Sequence, residues 1–350
     1  VKSSTVLLLV GMMLLAAACA GETPATTELP NTAGPATTAV PTSTVTSGVA
    51  TTTSAVATTT SGGANGGSGT ATASFSVPVG ENGVTYDLSG GLPGGPSSFA
   101  VLDDGSVVIA DTMALRSGRP RLLRFDAVGD PLSPIVLTEQ EVASIVDVAS
   151  DGERLAVLDV YVAQGRYRVL VLNASGAVEK IYDVPQGFHL EDGLTGLVWD
   201  DSAVLLEIEW GARYGKVAAD GAFEPTRAAV FDGVPITISP GNGLTTVVEA
   251  GPVSFDVVRT TELGGASLIG RAPDGSIVLA LDEVGLDDEG AIEVIRTVQR
   301  YSPAGKLVAE TTVGLQQFVD ISRTLELTAD GRVAHLVTLA DRVEIRILDV

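Results

Sequence analysis

Among 350 residues there is a single cysteine, Cys19. No internal disulfide can form, and a folded domain downstream has neither a Cys-based metal site nor a thiol nucleophile. Aromatic residues make up 5% of the chain, and histidine occurs only as His189 and His335, so general acid–base chemistry has few imidazoles to draw on. Basic residues are scarce as well: 21 Lys and Arg stand against 43 Asp and Glu, a net charge of −22. Phosphate recognition needs clustered Lys and Arg, so this balance argues against nucleic acid and favours cations or cationic ligands. No Gly-x-Ser-x-Gly elbow, His-Glu-x-x-His helix, Walker loop or dinucleotide fingerprint occurs, which leaves the common hydrolase, metalloprotease and nucleotide readings without a motif.

What is present begins with an N-terminal leader. Val1 reads as an alternative initiation codon. Lys2, an apolar run from Val6 to Leu15 and the small residues Ala16, Ala17 and Ala18 directly precede Cys19. The run is shorter than the roughly 20 residues a membrane-spanning helix needs, so residues 1–18 read as a signal peptide. The stretch resembles the lipobox of bacterial lipoproteins, with Ala16 where Leu is usual three residues before the cysteine. The resemblance implies a lipidated Cys19 and an anchor on the extracytoplasmic face of the cell membrane, and acyl methylenes bury at roughly 0.8 kcal/mol each. An ordinary secretory signal cleaved after Ala18 or Ala20 is the competing reading; both export the chain.

The stretch from Ala20 to Ala73 is dominated by threonine, alanine, serine, glycine and proline, with no aromatic residue and with Glu22 and Glu28 as the only charges. So little apolar surface cannot offset an ordering cost of roughly 1–2 kcal/mol per residue. Residues 19–73 therefore read as a disordered linker starting at the lipidated cysteine, with a root-mean-square reach on the order of 40 Å. Removing Lys2, Glu22 and Glu28 leaves residues 74–350 with 20 basic and 41 acidic residues.

From Phe99 onward, short β-branched runs alternate with tight turns, the signature of strands joined by hairpins. Turn dipeptides recur at Asp104-Gly105, Asp151-Gly152, Asp201-Ser202, Asn242-Gly243, Asp274-Gly275 and Asp330-Gly331. The interval before Asp274-Gly275 is short and the one after it long, and the two offset each other. The average spacing, roughly 45 residues, falls in the range of propeller blades. In the first two units a second glycine, Gly129 and Gly176, follows the first at the same interval. The third unit is short, the fourth degenerate around Val253–Thr261, and the sixth ends one strand early at Val350. Phe75–Val79 or Val84–Leu88 then supplies the outermost strand of the last blade, which closes the ring without an exposed edge.

The run 103–112, Asp-Asp-Gly-Ser-Val-Val-Ile-Ala-Asp-Thr, with 121–129, Arg-Leu-Leu-Arg-Phe-Asp-Ala-Val-Gly, resembles an NHL-type blade of the broad six-bladed, TolB-like group. That resemblance implies an all-β propeller of six blades with four antiparallel strands each. A seven-bladed ring is the competitor, and a two-sheet sandwich fits a domain of this length less well.

Acidic residues close the expected second strands: Asp111, Asp159, Glu207 or Glu209, Glu249 and Asp282. A ring of Asp111, Asp159, Glu207, Glu249 and Asp282 at one channel end makes a physically sensible hard-cation site, since Ca²⁺ takes six to eight oxygen ligands; Asp there also ends strands by accepting turn hydrogen bonds. The general architecture resembles that of propeller lactonases, which implies a Ca-dependent hydrolase as the alternative function, without a residue-by-residue match. Asp282, Glu283, Asp287, Asp288 and Glu289 lack EF-hand alternation and read as a solvated loop. Trp210, Tyr214 and His189 are the candidate binding residues: Trp210 and Tyr214 flank Gly211 and Arg213, and His189 sits beside Glu191 and Asp192. Trp199 and His335 read as structural. No catalytic residue is assigned. The favoured function is a non-enzymatic, membrane-anchored propeller that binds an envelope protein or glycan.

Overall fold

The computed structural model describes residues 72–80, 83–87, 94–112, 120–137, 142–161, 166–185, 193–201, 203–217, 222–286, 290, 292–314 and 323–350. Cys19, the leader, His189 and nearly all of the 19–73 segment lie outside these residues. Everything described below belongs to the unit Gly67–Val350.

Six four-stranded antiparallel sheets follow one another along the chain. Blade 1 is β2 (Ser98–Val101), β3 (Val107–Asp111), β4 (Arg121–Phe125) and β5 (Pro131–Val136). Blade 2 is β6 (Ser144–Ser150), β7 (Leu155–Tyr161), β8 (Arg166–Leu172) and β9 (Val178–Asp183). Blade 3 is β10 (Leu194–Trp199), β11 (Val204–Ile208), β12 (Arg213–Val217) and β13 (Phe223–Thr226). Blade 4 is β14 (Ala229–Phe231), β15 (Val234–Pro240), β16 (Thr245–Ala250) and β17 (Val253–Val258). Blade 5 is β18 (Leu263–Arg271), β19 (Ile277–Leu286), β20 (Ile292–Tyr301) and β21 (Leu307–Val313). Blade 6 is β22 (Leu325–Leu327), β23 (Val333–Thr338) and β24 (Arg342–Leu348), completed on its outer edge by β1 (Thr72–Pro78). The chain is thus an all-β, six-bladed propeller closed by exchange of its terminal strands, and the seven-bladed alternative falls away.

Burial explains why the strands read as they do. Second strands lie between neighbouring blades on both faces, so β3 (Val-Val-Ile-Ala-Asp) and β11 (Val-Leu-Leu-Glu-Ile) are buried throughout and lose the alternation of a half-exposed strand. Outer strands are largely exposed: β5 buries only Ile135. Core clusters sit between blades. Ala100, Val108, Leu122 and Ile135 of blade 1 meet Val148, Val157 and Leu170 of blade 2. Phe99, Ile109 and Phe125 of blade 1 meet Val77, Leu336 and Ile345 of blade 6 across the closure. The seam between blades 3 and 4 is the thinnest, built around Leu205, Tyr214 and Ala229.

The recurring turns have a local cause. The Asp104 carboxylate accepts from the Ser106 N–H at 2.9 Å and that of Asp274 from the Ser276 N–H at 2.9 Å, the Asx-turn arrangement that makes Asp the natural opener. The Ser106 side chain together with its N–H, and the Ser276 N–H, hold the Asp104 and Asp274 carboxyls below their usual range. The second glycine has a different reason. A Cβ on Gly129 would sit 2.4 Å from Phe75 of β1, and one on Gly176 would sit 2.4 Å from Ile135 of β5, with both glycines at positive φ. This turn packs against the outermost strand of the preceding blade, and no side chain fits.

One sequence expectation is corrected. Asn242-Gly243 lies between β15 and β16, the second and third strands of blade 4, whereas the turn equivalent to the others is Asp232-Gly233, with φ of 49° and 71°. Both dipeptides satisfy the same turn chemistry, and spacing alone does not separate them. The fourth blade, which reads as degenerate, has all four strands.

Candidate functional site

The five carboxylates expected around one channel end do not form a ligand set. Asp111 closes its second strand while Asp159 and Asp282 lie within theirs, two and four residues before the end, and each faces an arginine directly across the ladder: Arg121, Arg168 and Arg296. Arg121 Nε donates to Asp111 at 2.9 Å, Arg168 Nε to Asp159 at 2.9 Å, and Arg296 grips Asp282 in a fork at 2.6 and 2.7 Å. Asp111 also accepts the N–H of Thr85 at 2.9 Å, and Asp159 that of Ala143 at 3.3 Å. Each pair therefore pins a segment beside an inner strand. Burial pushes the Asp159 carboxyl upward against the pull of Arg168. Glu249 is on the third strand of its blade, a consequence of the misplaced turn, and pairs with Thr237 at 3.1 Å. Among the described residues no three His, Cys, Asp or Glu side chains are grouped to hold a metal ion. The donors present do not fit a channel cation, because the charge on three of them is already met by arginine. Glu283 accepts from Thr260 Oγ1 at 2.7 Å, and 287–289 lie outside the described residues.

The three binding candidates also part company. Tyr214 is 1% exposed in the core seam of blades 3 and 4, so it does not present a surface; it fills the space between two blades. Trp210 is 53% exposed on the β11–β12 turn, with Glu209 and Trp210 both left-handed. His189 is outside the described residues. His335 is buried in β23, and desolvation together with Arg346 and Arg296 pushes its pKa down to about 4.

What sequence reasoning missed lies on the axis. Arg323, just before β22 in blade 6, reaches across to blades 2 and 3. Its Nη2 and Nε donate to Asp147 at 2.9 and 3.2 Å, Nη2 also meets the Leu197 carbonyl, and Nη1 donates to Glu326 at 3.2 Å. Asp147 is 1% exposed and accepts in addition from the Ser98 hydroxyl, the Val148 N–H at 2.9 Å and the Leu197 N–H at 2.7 Å. It projects from a bulge in β6. Opposite it stands Gly196, where a Cβ would lie 2.5 Å from Asp147 Oδ2. Glu207, buried beside this group, receives the Thr195 hydroxyl at 3.1 Å, and burial raises its pKa. Burial, with Asp147 adding to it and Arg323 opposing it, pushes Glu326 up to about 7. Asp147 and Arg323 belong to no repeat position, so nothing in the periodic pattern marks them.

Towards the turns that follow the inner strands, the axis widens. The final residues of all six inner strands, Val101, Ser150, Trp199, Phe231, Arg271 and Leu327, line a chamber of about 540 Å³. A deeper cavity of about 160 Å³ shares Ser150, Trp199, Phe231, Arg271, Glu326 and Leu327 with it and reaches Arg323. Trp199, which reads as core from its apolar strand, is instead half-buried with part of its ring on this chamber.

No family model matches the chain, and no curated protein matches it. Solved structures similar to it include a streptogramin B lyase, at 13% identity over 75% of this chain and 97% of that one with a TM-score of 0.42. The β-propeller domain of the Trilobed protease from Pyrococcus furiosus, described as having an open velcro topology, is similar at 10% identity over 79% and 94% with a TM-score of 0.41. A glucose dehydrogenase is similar at 13% identity over 73% and 96% with a TM-score of 0.41. The blade count rests on the strand pairing of this chain itself.

Proposed function

We propose that this protein is a membrane-tethered binding module of the cell envelope, held by lipid on Cys19 and the 19–73 segment and binding through the mouth of its propeller. The observation that carries the reading is the convergence of six inner-strand ends on one open chamber, a concave site of the size that ligand pockets take. The pairing of Asp111, Asp159 and Asp282 with arginine weighs against the hydrolase alternative, which needs those carboxylates for a cation.

Two measurements test it. Expressed in a bacterial host fed alkynyl palmitate, the full chain takes up label and sediments with membranes, while Cys19→Ser does neither; equal labelling of the two removes the tether. A photoreactive residue in place of Asp103 at the mouth gives envelope cross-links that the same residue in place of Leu132, on the outer strand β5, does not. Equal yields at the two positions, or none at the mouth, remove the binding assignment.

A further inference from the structure

The two connected cavities have an uneven lining. Asp103, Asp151, Asp200, Asp201, Asp232 and Glu326 border the chamber, against the guanidinium groups of Arg154 and Arg271. The five aspartates follow the inner strands of blades 1 to 4, Glu326 lies within β22 of blade 6, and beside them Trp199 and Phe231 form an aromatic wall from blades 3 and 4. That wall already receives a cation: the Arg154 guanidinium lies 4.9 Å from the centre of the Trp199 ring. An indole face attracts cations through its quadrupole, more strongly where water is excluded. Deeper, Glu326 lines both cavities and is 15% exposed. Its Oε2 accepts from Arg323 at 3.2 Å, while Oε1 has no donor among the described residues.

We propose that the chamber binds a small organic cation with an apolar group, its ammonium directed to Glu326 Oε1 and its apolar part against Trp199 and Phe231. This rests on the reading of the domain as a binding module and names the ligand class. The domain's net negative charge concentrates cations at the mouth, the aromatic pair selects for an apolar body, and Glu326 supplies an oxygen acceptor where the inner strands close in. A carboxylate ligand meets the opposite field and finds Arg323 already committed to Asp147 and Glu326.

Trp199 and Trp210 are the only tryptophans in the chain, so the full-length protein carrying Trp210→Phe reports on Trp199 alone. Benzylamine titrated into it should change Trp199 emission saturably, and benzyl alcohol and benzoate at equal concentration should not. Glu326→Gln should weaken benzylamine binding about tenfold, equivalent to roughly 1.4 kcal/mol. A linear response, equal responses to the three probes, or an unchanged affinity in Glu326→Gln would overturn the proposal. If circular dichroism shows Glu326→Gln to be unfolded, Phe231→Leu takes its place, with about threefold weaker benzylamine binding expected from the lost aromatic face and unchanged affinity overturning it. Cross-linking from position 103 with no benzylamine response leaves the module reading standing and removes the cation; a response without cross-links does the reverse.

Discussion

Two sets of buried charges meet the same problem in different ways. The pairs Asp111–Arg121, Asp159–Arg168 and Asp282–Arg296 recur at one ladder position in blades 1, 2 and 5. In each, the arginine is 14–24% exposed; its aspartate is 0% exposed in blades 1 and 2 and 34% exposed in blade 5. The Arg323–Asp147–Glu326 group is buried to a similar degree, with Arg323 15% and Asp147 1% exposed, but it occurs once and joins blade 6 to blade 2, with Arg323 also meeting the Leu197 carbonyl of blade 3. The repeated pairs are replaceable local staples between a second strand and a neighbouring segment. The axial group is a single tie through the middle of the ring, and losing either member strands a desolvated charge.

The sharpest way to break this contrast is Asp147→Ala. It takes from Arg323 its main partner and frees three further donors, so a loss of about 3–5 kcal/mol in urea unfolding is expected, against about 1–3 kcal/mol for Arg121→Met, where the buried Asp111 keeps its bonds from Thr85. Equal losses would mean the axis is no different from the staples. For Arg121→Met, hydrogen exchange should quicken at Thr85, whose N–H and hydroxyl both bind Asp111, while blades 3 to 5 keep their protection.

The next largest effect is on pH dependence. His335 has a folded pKa of about 4 against 6.5 for the free side chain. The unfolded chain therefore takes the proton first, and stability falls as pH drops from 6.5 towards 4, by roughly 3 kcal/mol in all. His335→Gln should flatten that limb. Glu326 acts in the opposite sense: raised from 4.5 to about 7, it favours the folded state at low pH and loses that contribution as pH rises through 7. Thermal melts should show Glu326→Gln gaining on the parent between pH 5 and 8, and a gap constant with pH would refute the burial of its charge.

Smaller again is Gly196→Ala. Its Cβ would have to displace the Asp147 carboxylate, at a cost of about 1–3 kcal/mol. In the Asp147→Ala background that cost should largely vanish, and a double-mutant cycle measures the difference. Simple additivity would show that Gly196 is required for some other reason.

Much of the architecture is legible in the residues. The Asp-Gly turns and the apolar runs of the second strands follow from local rules, since an Asx turn needs only its own neighbours and a strand covered on both faces is apolar except where a buried carboxylate such as Asp111 finds a partner. The missing last strand is legible too, because a blade one strand short at the C-terminus and a spare strand before Phe99 have one economical solution. Blade 4 failed at Asn242-Gly243, where a second hairpin turn imitates the first, and the error carried Glu249 to the wrong strand. Tyr214 went into a core seam instead of a surface, while Trp199 packs against the core between blades 2 and 3 and also borders the chamber. Trp199 ends the apolar β10 and Tyr214 sits in the polar β12, Arg-Tyr-Gly-Lys-Val, so strand composition does not predict which is covered; that depends on how closely the next blade approaches.

The carboxylates illustrate the limit at the site. Asp111, Asp159 and Asp282 stand out as a periodic set, but whether such a set binds a cation depends on the residue across the ladder, which is 10, 9 and 14 positions away in sequence. Once the hairpins are drawn, the arginines are a readable signal. Asp147 and Arg323 are 176 residues apart, and no local rule connects them.

The sequence by itself determined the strand-and-turn grammar, the all-β class, the blade period and the acidity of the domain, because each follows from side-chain volume, turn chemistry or a sum of charges. Only the tertiary structure decided which carboxylates are neutralised, which aromatic residue faces the chamber and what crosses the axis. Those outcomes depend on side chains brought together by ring closure, where distance in space bears no relation to distance along the chain.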